Sequence, residues 1–289
     1  MLGLLVLRQS RPQSIAQEFE LVHIVAMVTI WPRQNFVTGG GPGAYALVAL
    51  SSEKLADPMP VSRSRHGMPT SEGAGAVALV VRDRATDPTW FDDNIVAPFV
   101  PLIENDLDAA TAAAAARAQF AYIVTSDVHD PEDLSHVQAG WALAKCICEQ
   151  GAAVVIDVTA ARAHNGTEVA GLAPDRSFDV MHEVTLFFDE REDEDAGESM
   201  IAWTAGMQKF GRPNLLITDI ARDYAAVVAT VLRDAATTLA EGERLEIGDT
   251  LTIGDRTFVA TPLPEGHDSP IDGAAVALAE VLGDAEEAP

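Results

Sequence analysis

The sequence has little positive charge. Nineteen Lys and Arg residues stand against 44 Asp and Glu residues, which gives a formal net charge of -25. Proteins that bind DNA or RNA take much of their affinity from clustered Lys and Arg. The composition therefore argues against a nucleic-acid ligand and favours a basic protein partner, although charge of one sign also keeps a protein in solution.

Cysteines and long apolar runs are scarce as well. Cys146 and Cys148 lie two residues apart in a predicted helix, where such residues do not face each other, so no disulfide is expected. Two thiols suit a reducing compartment. Residues 2–7 are too short for a secretory signal, and no run of 18 apolar residues occurs. We therefore expect a cytoplasmic protein without a membrane partner.

Complete motifs for catalysis or for ligand binding are also missing. The Gly-rich residues 38–43 are not followed by the Lys-Ser/Thr pair of a P-loop, so a flexible loop is favoured over a phosphate site. The acidic residues 189–198 lack the spacing of an EF-hand, and a solvated loop is favoured over a calcium site. No cofactor and no bound metal is expected.

Apolar patterning predicts a mixture of strands and helices. Strands are expected over residues 45–50 and 120–125, buried strands over residues 76–81 and 153–158, and hairpins over residues 184–207 and 245–261. Helical periodicity covers residues 131–150 and 219–240, with Asp130 and Asp219 as N-caps and with Trp141 and Val228 on the buried faces. Residues 274–282 are expected to add a short helix.

The order of these elements predicts an α+β fold. With a strand at residues 2–7 and a helix at residues 15–26, the first part of the chain follows the order of a ferredoxin-like split βαβ unit. We expect a ferredoxin-like lobe at residues 1–127. A second α/β lobe at residues 128–289 would then consist of antiparallel hairpins and one long helix.

The best candidates for catalysis are Asp127, His129 and His136. They lie where a predicted strand meets a predicted helix N-terminus, a common place for sites in α/β units. An Asp and two His residues could serve metal or acid/base chemistry, yet no recognised ligand spacing joins them. The structural alternative makes them polar loop and helix-surface residues. Asp157, at the end of a buried strand, is a further acid of interest, and its usual role is to cap the following turn.

Residues 200–219 contain the most distinctive pattern in the chain. Large apolar side chains alternate with glycines in a way that predicts a bulged strand leading into a tight turn. The candidate binding residues are Trp203, Gly206, Met207, Phe210 and Gly211. Either a ligand or partner approaches the glycine backbone closely, or the strand bends to cover a core with Trp203 and Phe210; packing is the more common use of such residues.

The pattern of Thr204, Gly206, Met207, Phe210, Gly211 and Pro213 resembles a motif of a bacterial α+β domain family of unknown function. Residues 4–12 and the end of the segment 153–157 look similar to the same proteins. The resemblance implies an uncharacterised bacterial protein and no activity, and it carries over no catalytic residue.

Three classes of function remain. The one we favour is a non-enzymatic binding or regulatory protein, immunity-like in character, whose acidic surface meets a basic partner. The alternative is a small-molecule enzyme, metal-dependent or not, that uses Asp127, His129 and His136. The third is a purely structural domain. The sequence leaves homo-oligomerisation open.

Overall fold

The computed structural model describes residues 29–193, 197–264 and 274–281. They form helices and two β-sheets, which confirms the α+β fold class. The strand predicted at residues 2–7 and the helix predicted at residues 15–26 lie outside the described residues. No helix in the described part of the chain is long and apolar enough to cross a membrane.

The first sheet has five strands in the order β2-β3-β1-β4-β5, and every neighbouring pair is antiparallel. The strands are β1 (Pro42–Ser51), β2 (Ala78–Asp83), β3 (Phe120–His129), β4 (Val154–Asp157) and β5 (Arg162–Asn165). Two of them, β4 and β5, come from beyond residue 127. The ferredoxin-like arrangement is therefore not confirmed, and the division into lobes at residue 127 stays a prediction.

Nine helices of the α type occur in the described residues. They are α1 (Arg63–His66), α2 (Glu72–Gly75), α3 (Pro88–Phe91), α4 (Val100–Asp106), α5 (Ala109–Ala116), α6 (Ser135–Glu149), α7 (Gly166–Ala170), α8 (Val180–Glu183) and α9 (Ala225–Ala240). Helix α6 packs on one face of the first sheet, and α3 to α5 pack on the other. Both faces of the central strands are therefore covered, which explains their continuous apolar runs.

Strand β2 is less buried than was predicted for residues 76–81. It pairs only with β3 at the edge of the sheet, and Val80 and Val81 are 40% and 45% exposed. The expectation of a buried strand was wrong, because an apolar run does not tell an edge strand from a central one.

The second sheet has six strands in the order β6-β7-β8-β11-β10-β9. The strands are β6 (Thr185–Asp193), β7 (Gly197–Ala205), β8 (Asn214–Ile220), β9 (Thr250–Ile253), β10 (Arg256–Thr261) and β11 (Ala275–Glu280). The two predicted hairpins are confirmed as the antiparallel pairs β6-β7 and β9-β10. The helix predicted at residues 274–282 was wrong: within that segment, Ala275–Glu280 forms β11, parallel to β8 and antiparallel to β10.

Helices α6 and α9 confirm the two long helical predictions, but not their caps. Trp141 is buried and Val228 is partly buried against the core. Asp130 has a φ of 42° and bonds to the 38–43 loop instead of to α6, which begins four residues after Pro131. Asp219 lies inside β8 with a φ of 57°. Both capping predictions were wrong, since α9 starts only after a 3-10 turn at Arg222–Tyr224.

The acidic residues 189–198 are more regular than predicted. Strand β6 continues to Asp193 and β7 begins at Gly197, so most of this run belongs to the hairpin ladder and not to a loop. Residues 194–196 lie outside the described residues. Strand β8 ends at Ile220, opposite Met200, so the outer ladder pairs from Arg191↔Ser199 to Asp193↔Gly197 extend past the described part of β8.

Candidate functional site

The turn after β7 brings the distinctive sequence pattern into the core. The ladder between β7 and β8 is irregular at Met200 and Ala202, as predicted for a bulged strand. A 3-10 turn, Met207–Phe210, then lies between Gly206 at φ 115° and Gly211 at φ 63°. A Cβ on Gly206 would lie 2.3 Å from the Glu183 carbonyl oxygen. The protein's own backbone is thus what approaches this glycine closely.

The side chain of Lys209 points from this turn into a buried charge cluster, which consists of Lys209, Asp157 and Glu183. Lys209 Nζ donates hydrogen bonds to Asp157 Oδ2 and, at 2.9 Å, to Glu183 Oε2. All three residues are at most 1% exposed. Asp157 is the last residue of β4, and its Oδ1 also accepts a bond from the backbone N–H of Ala160, which confirms the predicted turn cap.

Glu183 is held from a second side by Trp141 and Arg176. Trp141 Nε1 donates to Glu183 Oε2 at 2.9 Å, and an Arg176 guanidinium nitrogen lies 3.8 Å from Glu183 Oε1. The guanidinium lies over two indole rings, 4.8 Å from the centre of Trp31 and 5.4 Å from that of Trp141. This arrangement adds a cation to one carboxylate of the cluster and not to the other.

The two carboxylates consequently titrate differently. Burial and the neighbouring charge of Glu183 raise the pKa of Asp157, although Lys209 opposes the shift. Burial also acts to raise the pKa of Glu183, but Lys209 and Arg176 outweigh it, so this pKa is lowered. Burial lowers the pKa of Lys209, yet the two carboxylates raise it by more. These directions favour the charged form of Lys209 and of Glu183, and the protonated form of Asp157.

The three predicted catalytic residues have different environments. Asp127 and His129 are exposed on β3, where they pair with Ala44 and Pro42 of β1. His136 is fully buried on α6, where its Nε2 contacts the carbonyl oxygen of Lys209 at 2.8 Å and burial lowers its pKa. Across the described ranges, no group of three His, Cys, Asp or Glu side chains is placed to hold a metal ion.

Among the predicted binding residues, only Trp203 reaches the surface in part. Its indole stacks on Phe187 of β6 with ring centres 5.3 Å apart and an angle of 17° between the planes. Met207 and Phe210 are completely buried, as are the two glycines of the turn. These positions therefore serve packing in the way that the structural interpretation of the motif expects.

The Gly-rich loop wraps a carboxylate that belongs to the protein. Gly39 N–H donates to Asp130 Oδ2 at 2.7 Å, and Arg212 Nη1 donates to Asp130 Oδ1 at 3.1 Å. Burial acts to raise the pKa of Asp130, but the bonds from Gly39, Arg212 and Gly40 lower it overall. The position where a loop of this kind would hold a phosphate is filled by Asp130, which supports the structural interpretation of residues 38–43.

A large cavity lies elsewhere, between α4, α5 and the first sheet. Its volume is about 500 Å³, and its lining includes Leu50, Val100, Ile103 and Leu107, with Glu104 as a carboxylate in the wall. Substrate sites usually combine an apolar pocket with several convergent polar groups. This cavity offers apolar walls, and none of the predicted catalytic residues lines it.

Chemically, the buried charge cluster places an amine against two carboxylates in the interior of the protein. The sequence pattern identified the turn and Asp157, but it missed Lys209 and Glu183 as partners. A lone lysine inside an apolar motif was the available signal, since lysine is almost never fully buried unless it is paired. No protein-family model, curated protein or solved structure matches this chain, so the conclusions on its function depend on this geometry.

Proposed function

We propose that the chain is a non-enzymatic binding or regulatory protein, immunity-like in character, whose acidic surface meets a basic protein partner. The observation that carries this proposal is the acidic hairpin, defined as residues 189–200. Seven of its first ten residues are Asp or Glu and one is Arg191. Its ladder extends past the end of β8, so the acidic residues that the structure describes there lie on a paired ribbon at the edge of the sheet, namely Asp189, Glu190, Glu192, Asp193 and Glu198.

The distribution of buried charge strengthens the argument. In the described ranges, four cations are buried, namely Arg33, Lys145, Lys209 and Arg212, against two carboxylates, Asp157 and Glu183. Arg33 alone donates to four backbone carbonyl oxygens. Because more positive than negative charge is inside, the surface is more acidic than the net charge of -25 indicates. Such a field accelerates association with cationic surfaces and repels nucleic acid.

The enzyme alternative has less support. Asp127 and His129 are exposed, whereas His136 is buried beneath the Lys209 carbonyl. The polar groups of the motif turn are engaged within the chain, and catalysis needs groups that reach a substrate. The motif Thr-x-Gly-Met-x-x-Phe-Gly-x-Pro at residues 204–213 is the basis on which we also propose membership of the bacterial α+β family.

Binding to a cationic probe tests the proposal. Poly-L-lysine, titrated against the protein at low and at high salt, should bind with an affinity that falls as salt rises. The double variant Asp189→Asn/Glu190→Gln should weaken the binding, and the matched control Asp83→Asn/Asp93→Asn, which removes two exposed carboxylates from the first sheet and its covering helices, should weaken it less. Equal losses in the two variants would mean that the acidic hairpin is not the contact surface.

A further inference from the structure

The buried charge cluster contains the groups needed to make an amide bond. Lys209 supplies a primary amine, Asp157 a carboxyl group in direct contact with it, and Glu183 a second carboxyl group bonded to the same amine. We propose that Lys209 and Asp157 join covalently through an intramolecular isopeptide bond, with Glu183 as the proton-transfer residue. This inference is independent of the proposed partner, since it concerns only the interior of the protein.

Proximity is the first requirement, and the fold provides it. Because Lys209 Nζ donates to Asp157 Oδ2, the nitrogen lies next to the carboxyl carbon that it would attack. The two residues are 52 positions apart in the chain, and β4 and the 3-10 turn hold them in contact. Reacting groups fixed in this way behave as though present at very high concentration, on the order of 10⁵ M or more in well-oriented intramolecular reactions.

Proton transfer is the second requirement. Glu183 Oε2 accepts a hydrogen bond from Lys209 Nζ at 2.9 Å, which is within the range for direct transfer. Trp141 Nε1 bonds to the same oxygen and fixes its direction, and the Arg176 guanidinium faces the other oxygen. Glu183 can accept a proton because it is ionised, and the raised pKa of Asp157 favours the protonated acid that an amine can attack.

The step balances without any other reactant. The Lys209 ammonium gives one proton to the Glu183 carboxylate and becomes a neutral amine. Its nitrogen attacks Cγ of the protonated Asp157, so an N–Cγ bond forms. The Cγ–Oδ2 bond then breaks, and the oxygen leaves with two protons as one water molecule. The products are the amide, water and a protonated Glu183, and the total charge of the three groups is zero before and after.

The surroundings favour the product over the reactants. All three residues are at most 1% exposed, so water has little access to reverse the reaction. Burial of a charged pair has a large desolvation cost, whereas a buried amide needs only hydrogen-bond partners. Glu183, once protonated, is placed to donate a hydrogen bond to the new amide. The bond would link β4 of the first sheet to the turn between β7 and β8 of the second.

Mass spectrometry of the denatured full-length protein tests this directly. The wild-type chain should be lighter than its sequence by the mass of one water molecule. Trypsin should fail to cleave after Lys209, and a branched peptide should join the segments containing Asp157 and Lys209. Lys145 is the internal control: it is also buried and pairs with Glu149 at 3.2 Å, but Glu149 is 17% exposed, so cleavage after Lys145 should be normal. A wild-type chain of full mass with normal cleavage after Lys209 would overturn the proposal.

Two variants assign the roles. Lys209→Arg keeps the positive charge and should have the full mass of its sequence. Glu183→Gln keeps the amine and the Asp157 carboxyl in place and should slow bond formation by about 100-fold or more, followed as the fraction of cross-linked chain over time after synthesis. Bond formation in Glu183→Gln at the wild-type rate would show that Glu183 does not transfer the protons. The wild-type measurement decides the existence of the bond even where a variant does not fold.

Discussion

The buried charge cluster and the acidic hairpin use carboxylates in opposite ways. In the cluster, Asp157 and Glu183 share one lysine and are shielded from water, and each contact is fixed by the fold. In the acidic hairpin, residues 189–198 contain seven Asp or Glu residues and one basic residue, Arg191. Burial requires an internal partner for each charge, because an unpaired buried charge costs several kcal/mol. Surface charge has no such requirement: Glu190 pairs with Arg222, yet the two side chains stay 64% and 63% exposed to solvent.

The largest loss of stability is expected from a substitution of Lys209 in the buried charge cluster. Lys209→Met removes the amine that both buried carboxyl groups contact, and with it the shared cation and any bond to Asp157, so we expect a loss of about 3–5 kcal/mol in the free energy of unfolding. Urea unfolding followed by circular dichroism measures it. Lys54→Met, at an exposed lysine, is the control and should change stability by less than about 0.5 kcal/mol. A loss below 1 kcal/mol at Lys209 would contradict the interpretation that the cluster depends on its cation.

The backbone beside the cluster should be nearly as sensitive. Gly206→Ala adds a Cβ at a φ of 115°, where it would meet the Glu183 carbonyl oxygen, and we expect a loss of about 3 kcal/mol. Gly254→Ala is the matched control, since its φ is 62° but no atom lies within 4 Å of the added Cβ. There we expect about 1 kcal/mol from backbone strain alone. Equal losses at the two glycines would show that the close approach to Glu183 has no energetic role.

Stability should also depend on pH through His164, which lies edge-on to Trp141 with ring centres 5.2 Å apart. Burial, then Arg162 and Lys209, lower the pKa of His164 to about 4. The unfolded state takes up a proton near pH 6.5 and the folded state only near pH 4, so stability falls as pH falls through that window. The difference of about 2.5 between the two pKa values, at about 1.4 kcal/mol per pH unit, corresponds to a loss of about 3 kcal/mol across this window.

His164→Gln should reduce the dependence of stability on pH between pH 6.5 and 4. His182→Gln, at an exposed histidine, should leave that dependence as it is in the wild type. Thermal unfolding across this range provides the measurement. An unchanged slope in His164→Gln would mean that His164 does not contribute to it.

The smallest effect on stability is expected at the acidic hairpin. Replacing residues 191–199 by an Asn-Gly turn shortens a ladder that extends past the described end of β8, and loop-closure entropy changes slowly with length. We expect a change of about 1 kcal/mol or less, together with weaker binding to poly-L-lysine. A loss of several kcal/mol in calcium-free buffer would show instead that the carboxylates are engaged within the fold.

Sequence patterns were informative where local periodicity decides the structure. The apolar face of α6 follows from the spacing of its side chains. The turn at Gly254 follows from the Gly-Asp pair between two strand-like segments. Residues 274–282 were mispredicted, because an Ala- and Leu-rich segment with good helix propensity is used as a strand between β8 and β10. Tertiary pairing outweighs propensity in such a segment.

The candidate site was harder to predict because its members are distant in sequence. Lys209 lies 52 residues from Asp157 and 26 from Glu183, so no local spacing joins them. The contact of Asp130 could not be predicted from sequence for the same reason. Its position before Pro131 is typical of a helix cap, yet it pairs with Arg212, 82 residues away. Local patterns predict local structure, and long-range charge pairing needs the fold.

The order of the second sheet has a consequence for synthesis on the ribosome. Strand β11 lies between β8 and β10, so the β9-β10 hairpin joins the rest of the sheet only through a strand that is made after it. A nascent chain that has emerged as far as residue 264 can pair β6, β7 and β8, but it still lacks the strand that completes the sheet. Until β11 arrives, one edge of β8 and one edge of β10 stay open, and those edges are where a chaperone or a second nascent chain would bind.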